Sequence, residues 1–482
     1  MRTPDQYLSS LRDGRAVYYG GKKVEDVTTH PVLRVAVSHA SRLYELRSDA
    51  RLREILVYHD EGMGTMSSFF KVPRSVEDLL LRSIAIQETT RSSNGVFNII
   101  QVIGSDALFA LMIVAKKIWD EVRKAEYYER VLRYYEYVAS NDLAIATAQT
   151  DVKGDRTKRP HEQSDPDMYL RVVDVTDEGI VVNGAKAHTT QSVVANEVIF
   201  LPSRALGELD RDYAVAFALP ASTKGLKLIA RPLMEVEGVP SEEDAPLSSR
   251  GAEVESLTVL DHVMVPWERV FLFKEWKYAG ELANLFATFH RFSAISYRCV
   301  VADLYLGAAR LAAKANGIEE VPHVRDGVLE IVLYKEIMNM ALRMSAIDGV
   351  LDVGTKIIVP NPISTNVGKL YSNTNFANVV RNVIDIAGGY VSTLPSTLDL
   401  ENPETGQYIE KFLGRGSGYE GAERYKVLRL VRELVGGPLA GYMLGLMIHA
   451  EGSAAASRIA LYRSYEFDEA ERLALEAARL IK

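Results

Sequence analysis

The chain has 482 residues, enough for two or three domains around large cores. Its 47% hydrophobic and 25% charged residues are ordinary for a soluble globular protein. A net charge of −8 argues against a nucleic-acid partner, whose phosphates call for a basic face, and the single cysteine excludes an intrachain disulfide. A lone cysteine also fits a reducing cytosol. The opening "MRTPDQYLSSLRDGR" lacks the apolar core of a signal peptide. The longest uncharged run, "GGPLAGYMLGLMIHA" (436–450), is shorter than the roughly 18 residues that a membrane span needs. The expectation is a cytoplasmic enzyme with no membrane partner.

Residues 1–140 read as a helical N-domain. "SVEDLLLRSIAIQETTR" starts with Ser75 and places Asp78 three residues on, a helix-start signal. "DALFALMIVAKKIWDEVRKA" and "YYERVLRYYEYVAS" repeat their apolar residues at helical period. His30, in "DVTTHP", reads as a capping or core histidine.

Residues 141–275 change character. "DMYLRVVDVTDEGIVVNGAKAHTT" holds two β-branched runs around "TDEG", a hairpin pattern. "DYAVAFALPAS", "KGLKLIARP" and "ESLTVLDHVMVPWERVFLF" continue the strands into a β-barrel-like middle domain. Two pieces here could carry chemistry. In "ATAQTDVKGDRTKRP", the stretch Gln149, Thr150, Asp151 offers amides and hydroxyls to the edge of a flat heteroaromatic ring. In "NGAKAHTTQS", Lys186, His188, Thr189 and Thr190 sit close together. Strand alternation puts Thr189 and Gln191 on one side, and His188 and Thr190 on the other.

Residues 276–482 return to helix, as a C-terminal bundle. "HVRDGVLEIVLYKEIMNMALRMSAIDGVL" and "NTNFANVVRNVIDIAGG" read as bundle helices, the second stopped by Gly388 and Gly389. That glycine pair, followed by hydroxyls, permits a close approach to a pyrophosphate. The stretch "HRFSAISYRCV" (290–300) falls within one helix. At about 100° per residue, Cys299 points away from His290, while Tyr297 shares its face. His290 and Cys299 therefore cannot share an ion, and no further cysteine completes a cluster. No metal site is expected. The chain has no GxGxxG after a strand, no P-loop, no HExxH and no GxSxG.

Taken together, "TPDQYLSSLRDGRAVYYGGKKVEDVTTHP", "PLSSR" (246–250), "DHVMVPWERVF" (261–271) and "AGGYVSTLPS" resemble signatures of the 4-hydroxyphenylacetate 3-hydroxylase family of flavoproteins. The resemblance implies an α+β, acyl-CoA-dehydrogenase-like fold, bound FAD, and a homotetramer or homodimer. One branch of the family comprises two-component monooxygenases, which receive FADH2 from a separate flavin reductase and hydroxylate a small substrate through a C4a-hydroperoxyflavin. The other is the 4-hydroxybutyryl-CoA dehydratase and vinylacetyl-CoA isomerase branch, which adds a [4Fe–4S] cluster. "TDVKGDRTKRPHEQSDPDMYLRVV", "GIVVNGAKAHTT", "GAARLAAKANGI" and "HAEGSAAASRI" are locally similar to the second branch.

Against that branch, His290 survives, but Tyr297, Asn98 and Val102 stand at the cysteine places, so no iron–sulfur cluster is expected. Against the first branch, the phenol-binding positions hold Ile99, Ile103 and Thr147. The resemblance makes Arg91, His188, His290 and Tyr297 the polar residues nearest the flavin. His290 or Tyr297 would handle a substrate proton. Glu255, which matches a glutamate of the dehydratase branch, is the candidate base of a thioester reaction. Three functions follow: FADH2-dependent monooxygenation; cluster-free acyl-CoA dehydration or isomerisation; and non-catalytic flavin binding.

Overall fold

A computed structural model describes residues 1–233, 241–414 and 418–480. The element order is helical, then β, then helical, as the sequence patterns predict. Ser75 caps the helix Val76–Ser92 through its hydroxyl, and Asp78 returns the bond to the Ser75 amide. His30 caps the helix Leu33–Leu46, its Nδ1 accepting from the amides of Val32 and Leu33. The helix Val102–Val122 is buried on every side from Val102 to Ala115, which its unbroken apolar sequence requires. It packs hard against the strand Ile145–Ala148 at Gly104, where a Cβ would stand 2.3 Å from the Ile145 Cβ.

The middle region forms two sheets. The larger runs Lys22–Val24, Ala16–Tyr19, Leu226–Ala230, Glu255–Pro266, Gly179–Thr190, Arg171–Val175. The smaller runs Val270–Phe273, Val215–Pro220, Glu197–Phe200, Ile145–Ala148. The hairpin around Thr176 to Gly179 forms as expected. Neither sheet closes, so among the described residues the middle region is two open sheets rather than a barrel. The first 140 residues are not purely helical either. Ala16–Tyr19 pairs in parallel with Leu226–Ala230 and extends the middle sheet. "AVYY" is too short, and too close to "GG", to show a period of its own.

The C-terminal bundle is built on the helix Trp276–Asn316, 41 residues and so about 60 Å long. Pro322–Ile347 and Pro362–Ala387 pack along it. The short helix Pro438–His449 meets the larger sheet through Tyr442 and Glu255, and the turn after it meets the long helix. Among the described residues no helix is long and apolar enough to cross a membrane.

Candidate active site

The larger sheet presents the first group of residues. Glu255 pairs with Thr190 and Ser256 with Thr189, after which the register slips before Thr258 meets Lys186. This bulge falls at His188, whose backbone has φ 57°, and it turns the imidazole out of the sheet. Partial desolvation, and then the Lys153 ammonium, hold His188 below its ordinary pKa, while the Glu255 carboxylate opposes them. Thr189 and Gln191 are both buried, although Gln191 stands just past the end of the strand with φ 61°. The Thr189 hydroxyl accepts from Thr258, in a buried chain that continues through Ser256 to Ser192. Lys186 is buried as well. Its ammonium lies 2.5 Å from Asp151 and donates to the carbonyls of Gln149 (3.0 Å) and Leu201 (2.8 Å). Lys186 and Asp151 therefore brace the loop 149–151, whose Thr150 carbonyl accepts from Ala187. The side chains of Thr150, His188 and Thr190 have no hydrogen-bond partner among the described residues. These open donors beside a braced loop fit the polar edge of a flavin ring.

Opposite Thr190, Glu255 is tied to the bundle. Tyr442 donates to its Oε1 at 2.6 Å, and Arg231 bonds its other oxygen while lying 3.9 Å over the Tyr442 ring. Tyr442 belongs to the helix Pro438–His449, and two residues past its end stands Glu451. That turn joins the sheet residues to the second group.

The second group lies on the long helix. Tyr297 is buried, stacks on Phe97 with centroids 4.3 Å apart, and donates to Glu451 at 2.5 Å. Arg298 meets the other Glu451 oxygen at 2.6 Å, with Lys369 3.6 Å away. Burial alone would raise the Glu451 pKa, but Arg298, then Lys369 and His290, pull it down to about 2. Burial and the Glu451 carboxylate push Tyr297 far above the ordinary phenol range. Burial, with Arg298 beside it, drives Lys369 well below the ordinary amine value. His290 stacks flat on Phe286 (5.3 Å, 10°), and its Nδ1 lies 3.3 Å from Asp106.

Not every expected residue joins these groups. Arg91 is exposed and pairs with Asp303 (3.3 Å) and Glu88 (3.8 Å). Gly388 and Gly389 end the helix that carries Lys369; nineteen residues of helix set Gly388 about 28 Å from it, and a Cβ on either glycine would meet nothing within 4 Å. Conversely, Asp106, Arg298, Lys369, Tyr442 and Glu451 carry no motif in the sequence. The available signal was a charge inside an apolar stretch: Asp106 opens "DALFALMIVA", and Glu451 follows a 15-residue uncharged run.

The positions that the resemblance assigns to cluster ligands lie on two neighbouring segments. The segment 97–106 lies along 290–297 through the Phe97–Tyr297 stack and the Asp106–His290 contact. The side chains there are an imidazole, a phenol, the Asn98 amide, committed to the His39 carbonyl at 2.8 Å, and the Val102 isopropyl group. Cys299 is buried elsewhere on the helix, its thiol pushed up by burial to about 12. This donor set does not fit an iron–sulfur cluster. Among the described residues no group of three or more His, Cys, Asp or Glu is placed to hold a metal ion.

Comparisons with known proteins agree with this architecture. The family description "4-hydroxyphenylacetate 3-hydroxylase N terminal" matches residues 3–272, and its C-terminal counterpart matches residues 279–479. The chain is 31% identical over 493 residues to a 4-hydroxybutyryl-CoA dehydratase/vinylacetyl-CoA-Δ-isomerase of Clostridium aminobutyricum, covering 98% of each chain. It is 32% identical to the oxygenase component of a 4-hydroxyphenylacetate 3-monooxygenase of Thermus thermophilus, covering 90% of this chain and 88% of that one. A crystal structure of such an oxygenase component, complexed with FAD and 4-hydroxyphenylacetate, superposes with a TM-score of 0.89 at 29% identity, covering 99% of each chain. With the same fold and both halves matched, the chain belongs to the 4-hydroxyphenylacetate 3-hydroxylase family of enzymes, which share the acyl-CoA-dehydrogenase-like fold.

Proposed function

We propose that this flavin-dependent oxidoreductase is the oxygenase component of a two-component monooxygenase, hydroxylating an aromatic or similar small organic substrate with FADH2 from a separate reductase. The observation that carries this reading is Tyr297. It stands where the resemblance would need a cluster ligand and is committed to Glu451 at 2.5 Å, which leaves a buried polar site suited to flavin without a cluster.

Gln149, Thr150, His188 and Thr190 would hold the flavin ring, with Asp151, Lys186 and the buried Thr189 fixing the backbone behind them. Reduced FAD, when bound, supplies the activation of dioxygen. The chain's own groups do the rest. Phe97, stacked on Tyr297, and Phe286, stacked on His290, would wall the site and keep water out. His290 takes the substrate's hydroxyl proton at Nε2. No phenolate-binding cation stands at Ile99, Ile103 and Thr147, so the substrate would be more apolar or held differently. The test is turnover with FADH2, oxygen and a panel of phenols, read by mass spectrometry. A product 16 mass units heavier supports the reading, and FADH2 consumption with peroxide as the sole product from every phenol contradicts it.

A second reading has its own observation. Glu451, held ionised close to His290, is an acid–base set that a cluster-free thioester isomerase would use, and Glu255 beside Thr190 would be its further base. Conversion of vinylacetyl- to crotonyl-CoA by the FAD-loaded protein would favour it.

The homotetramer or homodimer belongs to the same proposal. The helix Pro322–Ile347 leaves Leu329, Leu333, Met340, Met344 and Ile347 exposed at three-, four- and seven-residue spacings, which is an apolar stripe suited to a second copy.

A further inference from the structure

We infer that Asp106 is a positioning residue that holds His290 with its proton on Nδ1, so that bare Nε2 is the atom offered to the substrate. The inference rests on the reading that His290 handles the substrate proton.

The two oxygens of Asp106 are unequally engaged. Oδ1 accepts from Arg82 at 2.6 Å and from Ser293 at 3.0 Å. Among the described residues Oδ2 meets only the Nδ1 of His290, at 3.3 Å. A proton on Nδ1 satisfies that oxygen. The other tautomer would set a nitrogen lone pair against a fully buried carboxylate, in surroundings where an unmet acceptor is costly. The frame behind the carboxylate is rigid. Arg82 is itself buried and also donates to the carbonyls of Phe69 and Val102 and to the Ser105 hydroxyl, so it balances the Asp106 charge and pins it to the helix Val102–Val122. Ser293 lies on the His290 helix, one turn away. Phe286, one turn before His290, holds the ring plane by stacking. Nε2 has no hydrogen-bond partner among the described residues, and the side chain keeps 11% of its surface exposed. A proton transferred from a substrate O–H to Nε2 breaks the O–H bond and forms an N–H bond. The resulting imidazolium is stabilised through Nδ1–H by Oδ2, and no electrons are exchanged. The 3.3 Å separation leaves room to tighten as that charge develops.

The test uses the full chain labelled with ¹⁵N-histidine, with the His290 signals assigned by their loss in His290→Gln. Long-range ¹H–¹⁵N spectra of the wild type should show Nδ1 protonated and Nε2 bare. Finding the proton on Nε2 overturns the inference, whether or not a substrate is known. The paired variant Arg82→Met/Asp106→Leu removes both buried charges together and so avoids stranding either one. It should move the proton to Nε2 and lower kcat about 100-fold, with KM changed less than about 3-fold. An unchanged tautomer or an unchanged kcat in that variant overturns the inference. If the wild type turns over no phenol at all, the oxygenase reading falls, and the wild-type tautomer still decides the role of Asp106.

Discussion

Glu451 is a carboxylate whose charge exists because of its neighbours. Removed from water it would take up a proton, yet Arg298 at 2.6 Å keeps it ionised down to about pH 2. Its pKa is lowered on folding, so its contribution to stability is present above its unfolded value near 4.5 and is lost as pH falls toward 2. Glu451→Gln should remove that acid-range slope and cost about 3–5 kcal/mol at neutral pH, because Arg298 is left buried without its counter-ion. Thermal melts of both proteins from pH 3 to 7 check this, and parallel curves would show that the pair is not coupled to folding. The sequence concealed this residue for a physical reason. Its partners Tyr297 and Arg298 lie more than 150 positions away, and no local period reports a contact across that distance. Asp106 was hidden in the same way, 184 residues from His290. Thr189, Thr190 and His290 could be named as candidates from the sequence because they sit in short segments where polar groups cluster or where the family resemblance lies.

At the scale of elements, the hairpin, the capping box at Ser75 and the glycine stop at Gly388 were all readable, because each depends on residues within four positions of one another. The strand Ala16–Tyr19 was not, since it gains its pairing only from Leu226–Ala230, about 210 residues later. The bulge at His188 also escaped the sequence, because it arises from the register against Ser256 and Thr258. Close approach between elements gives a direct prediction. Gly104→Ala would drive a methyl group into Ile145 and part the helix Val102–Val122 from the strand Ile145–Ala148. The expected cost is about 1–3 kcal/mol, read as a fall in Tm, with the spectrum of the folded state retained. The exposed stripe on Pro322–Ile347 gives another. Met340→Glu combined with Met344→Glu should lower the mass seen by light scattering to that of a smaller assembly, and an unchanged mass would place the subunit contact elsewhere.

For the whole molecule, the order of helical, β and helical regions follows from a change of hydrophobic period along the chain, and it is the feature the sequence reveals most directly. What the whole molecule adds is the meeting of its parts. The short helix Pro438–His449 binds the sheet through Tyr442 and Glu255, and the turn after it binds the long helix through Glu451 and Tyr297. The strand residues around Glu255 and the buried Glu451 set are thereby linked through one short helix and its turn, the arrangement on which the proposed function rests. The measurement that tests this most directly is a stopped-flow mix of the anaerobic protein and FADH2 with oxygenated buffer, followed in the near-UV. The account predicts a transient band that outlives the oxidation of free FADH2 and shortens when a hydroxylatable substrate is added. Direct reoxidation at the rate of free FADH2, with no transient, would contradict it.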